Sequence, residues 1–147
     1  MRVRLAICLL VILLQAGRDA NARDTEHKLR IDEVLQSADF RSRVGQDVAF
    51  HFGTRRSPPA GKRLGEFVTN KKTNASNKSD AEACRWAMLS ALIELKERAR
   101  KEGGDAIVNV VSYYKKREFD SDTLYECHAG AFIAGVALKG TVVKRGK

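Results

Sequence analysis

Apolar positions in this chain fall into three kinds of pattern. The first is a continuous block from Leu5 to Leu14, with Arg2 and Arg4 before it and Gln15 and Gly17 after it. The second is alternation with a period of two. Val48, Phe50 and Phe52 share one side of 47–52, and the stretch that opens at Leu64 runs through Phe67 and Val68 before turning polar at 70–78. Both read as strands. The third has a period near 3.6. Cys84, Met88, Ala91, Leu95 and Ala99 fall on one face of a helix, which Leu92 widens.

That helix carries its own boundary signals. Ser79 and Glu82 form a capping box, Asp80 complements the positive end of the dipole, and Arg100 and Lys101 sit in the last turn before Gly103-Gly104 stops it. Downstream, 106–116 holds Ile107, Val108, Val110 and Val111 in a nearly continuous apolar run, which predicts a strand covered on both faces. Residues 124–143 read as one long strand or two short ones. Phe132, Ala134, Val136 and Leu138 share a face, and Gly130, Gly135 and Gly140 mark bulges or close approach. The stretch 53–62, with Pro58-Pro59, reads as a loop, and 115–122 as a charged turn. Residues 23–46 are polar except for Ile31, Val34 and Leu35, spaced for a short helix or turn, and His27 is expected in a disordered end. The expected architecture is α+β: one long helix on an antiparallel sheet of about four to five strands, in a single domain at 47–147.

The block at 1–22 has a different meaning. A basic head, an apolar core too short for a bilayer and the small-x-small site Ala20-Asn21-Ala22 make up a secretory signal peptide. The expected mature chain starts at Arg23, in the periplasm or outside the cell. It keeps 125 residues, enough for one core, with 24 basic and 17 acidic side chains and a formal charge of +7. Such a charge favours anionic partners. No later stretch is apolar enough to span a membrane. Cys8 lies too early in the block for a lipoprotein cysteine, so no lipid anchor is expected. Cys84 and Cys127 remain, an even pair that suggests one disulfide worth about 4 kcal/mol in an exported domain. The alternative is two reactive thiols, although the C-x-x-C spacing of redox catalysts is missing.

Catalytic groupings are absent from the sequence pattern. No G-x-S-x-G surrounds a serine. A phosphate-cradling loop needs G-x-x-x-x-G-K-[ST], whereas Gly61-Lys62-Arg63 has neither the earlier glycine nor the following hydroxyl. Candidate metal donors are His51, His128, Cys84, Cys127, Asp120 and Asp122, of which His51 and His128 are the weak candidates that remain if the cysteines pair. Cys127 and His128 are adjacent, so on a strand they point to opposite faces. Arg55, Arg56, Lys71, Lys72, Lys115, Lys116 and Arg117 are candidates for a basic patch, with Tyr113 and Tyr114 beside it. No cofactor is expected.

The blocks Cys84-Arg-Trp-Ala-Met-Leu-Ser-Ala-Leu, Gly103-Gly-Asp-Ala-Ile-Val-Asn-Val, Tyr113-Tyr-Lys-Lys, Cys127-His-Ala-Gly and Gly135-Val-Ala-Leu-Lys-Gly together resemble small exported bacterial proteins that genomes label "excinuclease ATPase subunit". More distantly they are similar to the YbjQ-type heavy-metal-binding domain and to the signalling domain of the RcsF envelope-stress lipoprotein. The resemblance covers roughly residues 47–144 and implies the α+β fold and the Cys84–Cys127 pairing, without a reaction. The missing phosphate loop and the signal peptide exclude nucleotide hydrolysis and DNA repair. The expectation is an exported, non-enzymatic binding domain of the bacterial envelope, meeting an envelope protein or an anionic envelope component. The alternative is a periplasmic metal-binding or metal-responsive domain.

Overall fold

The computed structural model describes residues 22–56 and 61–146. The expected signal peptide, apart from its last residue, and Pro58-Pro59 lie outside them. In chain order the elements are β1 (Thr25–Arg30), α1 (Ile31–Leu35), a π-helical turn (Phe40–Val44), β2 (Ala49–Phe52), β3 (Gly61–Asn74), α2 (Asp80–Lys101), β4 (Ala106–Ser112), a 3-10 turn (Tyr114–Lys116), β5 (Leu124–Ala129) and β6 (Ile133–Arg145). The class is α+β, with one long helix packed on one sheet. The sheet has six strands and is mixed, because β2 joins β4 in parallel while the other pairs are antiparallel.

Helix α2 starts where the capping box places it. The Ser79 side chain accepts the Glu82 amide at 3.1 Å. It ends at Gly103, whose φ of +78° is left-handed. Gly104 follows because a Cβ there would stand 2.9 Å from the Val143 carbonyl oxygen. The inner face of α2 places Met88, Leu92 and Leu95 fully out of solvent against the sheet, facing Ile107, Val136, Leu138 and Val142. Cys84 and Cys127 are disulfide-bonded across this core, joining α2 to β5.

Residues 23–46, polar by composition, enter the same core. Ile31, Val34, Phe40 and Val44 are buried against α2, and Phe40 meets Phe50 edge to face at 6.3 Å. His27, expected in a disordered end, sits in β1 opposite Cys127. β3 is longer than its apolar content predicts. Its polar end through Asn74 stays extended because β6 pairs with it along the whole length. β4 is shorter and closes at Ser112, before the 3-10 turn.

The central strand β6 sets the shape. β3 occupies one of its edges. On the other edge, β5 pairs only through Ala134 and Gly135, and β4 takes over from Leu138 to Val143. The sheet therefore forks into a β1–β5 arm and a β2–β4 arm.

Candidate functional site

A cleft of about 650 Å³ opens between the two arms. Ile31 and Leu35 of α1, Phe50 and Phe52 of β2, and Leu124 of β5 contribute its apolar lining. α1 is held at its edge by the Ile31 amide, which donates to the Thr123 carbonyl at 2.9 Å. The rim is charged but internally paired. Arg30 bonds Asp32, and Arg56 lies 3.2 Å from Asp122. Asn109 reaches the cleft from β4 in a left-handed conformation (φ +52°), a strained state held by its neighbours.

Asp120 does not ligate with Asp122. It accepts the Thr54 amide at 2.9 Å and the Thr54 hydroxyl, which hold its carboxyl below the usual range. His51 belongs to β2, but its Nε2 is shielded from solvent and has no partner among the described residues. Burial, with Arg145 nearby, pushes this imidazole below its ordinary pKa. His51 lies in the wall of the cleft, between Phe50 and Phe52.

His128 lies elsewhere, on the face of β5 away from α2, in a network the sequence pattern did not single out. Its Nε2 is 2.7 Å from the Glu126 carboxylate and its Nδ1 is 3.0 Å from Asp24. Tyr114 stacks on the ring at 3.4 Å and donates its hydroxyl to Asp24 at 2.9 Å. Lys28 bridges Glu26 and Glu126; across the β1–β5 pair Glu26 faces His128 and Glu126 faces Lys28. Burial pushes the Glu126 carboxyl up, but bonds from Lys28 and His128 outweigh it, so Glu126 stays below its ordinary value. The 3-10 turn holds Tyr114 in place with Lys115 and Lys116 at φ +49° and +62°.

Chemically this cluster is a closed ion-pair network. Both imidazole nitrogens are occupied, so His128 has no free nitrogen to take a proton from a substrate. Glu26, Glu126 and His128 bring one ligand atom each within 4.8 Å of one another, but the Lys28 ammonium already lies among them. Cys84 and Cys127 are joined to each other and supply no thiolate. The donor set therefore does not fit the soft-metal site that the YbjQ-type resemblance implies.

The basic candidates divide. Lys71 turns toward α2 and pairs with Glu94, so Lys72, next on β3, faces the other way. Arg55 and Arg56 lie against Asp120 and Asp122. Lys115, Lys116 and Arg117 form the separate turn behind Tyr114. The signal that sequence reading missed was spacing by two: Glu26 with Lys28, and Glu126 with His128, alternate along two strands.

No family model, curated protein or solved structure matches this chain. No helix among the described residues is long and apolar enough to cross a membrane.

Proposed function

We propose that this chain is an exported, disulfide-stapled, non-enzymatic binding domain of the bacterial cell envelope, with the cleft at the sheet fork as its recognition site. The observation that carries this reading is the cleft itself: about 650 Å³, apolar inside, with charges confined to paired residues at the rim. Sites of this kind hold a partner group by burying it, with few polar contacts to orient it. The signal-peptide layout of 1–22 and the Cys84–Cys127 bridge support an oxidising compartment.

The test fills the cleft. Residues 23–147 and their Leu124→Trp variant are immobilised and exposed to periplasmic extract from the source bacterium. The expected result is an envelope component retained by the first and lost from the second, with equal unfolding midpoints. Equal retention by both chains overturns the cleft as the recognition site. Retention of nothing from the envelope fraction overturns the binding reading.

A further inference from the structure

A second pocket, of about 360 Å³, lies between α1, the first turn of α2 and β5. Three kinds of unused hydrogen-bond donor meet there. The first is the helix start. Ser79 takes the Glu82 amide with its side chain and the Ala83 amide with its carbonyl, which leaves the N–H of Ala81 in the pocket wall, and that of Asp80 beside the pocket, without an acceptor among the described residues. These sit at the positive end of a 22-residue helix.

The second is Tyr125. The residue is only 2% exposed, it lines the pocket, and its hydroxyl bonds to none of the described residues. Burial pushes the phenol well above its ordinary pKa, so it remains a donor. The third is Arg85, which is half-buried and has no ion pair or hydrogen bond among the described residues, its Nε being shut off from solvent. A guanidinium cannot escape this by losing its proton, and an unpaired buried donor carries its full desolvation cost. Of the acids nearby, Asp80 turns its carboxylate to Arg23 and His27, while Glu33 is exposed and lies 3.6 Å from an Arg30 that already bonds Asp32. Glu82 stays exposed at the rim.

We propose that this pocket is an oxyanion site that takes a phosphate group, with the α2 amides, Arg85 and Tyr125 as its donors. Helix start and guanidinium together supply the charge, and the phenol supplies a neutral donor from the opposite wall. The disulfide fixes the two walls, because Cys84 precedes Arg85 on α2 and Cys127 lies two residues beyond Tyr125 on β5. The site is separate from the cleft and stands whether or not the cleft binds a partner. Its phosphate could belong to a soluble ester or to a lipid headgroup.

The experiment is an amide NMR titration of residues 23–147 with inorganic phosphate. A saturable shift of the Asp80 and Ala81 amides is expected. Arg85→Gln should weaken it about ten- to a hundredfold, the loss of a charge-assisted bond, and Tyr125→Phe about two- to tenfold. Glu82→Gln should tighten it. No saturation, shifts that map elsewhere, or binding untouched by Tyr125→Phe and Arg85→Gln overturns the site. If Arg85→Gln does not fold, the wild-type shift map and Tyr125→Phe decide. Sedimentation with phosphatidylglycerol vesicles then separates the sources. Retention that inorganic phosphate competes away assigns a lipid headgroup, and phosphate binding without retention assigns a soluble ester.

Discussion

Reduction of the Cys84–Cys127 bridge should cost this domain a large share of its stability. The two half-cystines are 43 residues apart in sequence, and cross-linking them removes loop-closure entropy from the unfolded chain. The chain-entropy relation puts a loop of that length at about 4 kcal/mol at 25 °C. Domains of this size hold only about 5–15 kcal/mol in total, so the reduced form is left marginal. Both sulfurs are fully buried, so Cys84→Ala with Cys127→Ala adds a packing loss of about 1 kcal/mol per site, near the cost of deleting one methyl-sized group. The double variant should therefore lose about 6 kcal/mol against the oxidised chain. Urea unfolding followed by the fluorescence of Trp86, the single tryptophan, reads all three forms. The denaturant slope should rise on reduction, because an unlinked unfolded chain exposes more surface. Coincident midpoints for oxidised and reduced protein would refute the argument. Two reactive thiols in denatured, unreduced protein would remove the bridge altogether.

Three further outcomes are expected. Leu95→Ala, at a site 1% exposed between α2 and the sheet, should cost about 2–5 kcal/mol in urea unfolding; a loss under about 0.5 kcal/mol would place that face outside the core. The Asp80 carboxyl is held at about 2 by Arg23 and His27, below its unfolded value of 3.8. A depressed folded value stabilises above the unfolded one and is lost as pH falls, so the gap in unfolding midpoint between wild type and Asp80→Asn should close from about pH 4 to pH 2; a gap constant with pH sinks this assignment. Zinc titrated calorimetrically into the oxidised chain should give no saturable heat, since Lys28 fills the Glu26–Glu126–His128 cluster; one-to-one binding would put the alternative metal reading ahead of the binding domain.

Local patterns reached α2, the strand character of β2, β4 and the start of β3, and the cysteine pairing. Ser79, Glu82 and Gly103 act through bonds three or four residues away, so the helix limits are written in neighbouring positions. Cys84 and Cys127, an even pair after residue 22, suggested a bridge with two reactive thiols as the alternative, and the structure joins them. Polar strands were another matter. Thr25–Arg30 alternates charged side chains with little apolar content, and it becomes β1 because β5 supplies a ladder and Glu126 receives Lys28. The end of β3 stays extended for the same reason, with β6 as its partner.

The two pockets, and the way the strands bring the His128 network together, lay beyond sequence reading. Glu26 faces His128 across a strand pair from about a hundred residues away, and Tyr114 reaches the same ring from a turn. Arg85 and Tyr125 share a pocket only because α2 crosses β5. The amino-acid order determined by itself what depends on hydrogen bonds and burial within a few residues: one capped helix and the apolar strands. Tertiary structure decided what depends on which strands meet: the fork in the sheet, its parallel pair, and the charge clusters that join distant segments, because those partners are chosen by long-range pairing and not by their neighbours in the chain.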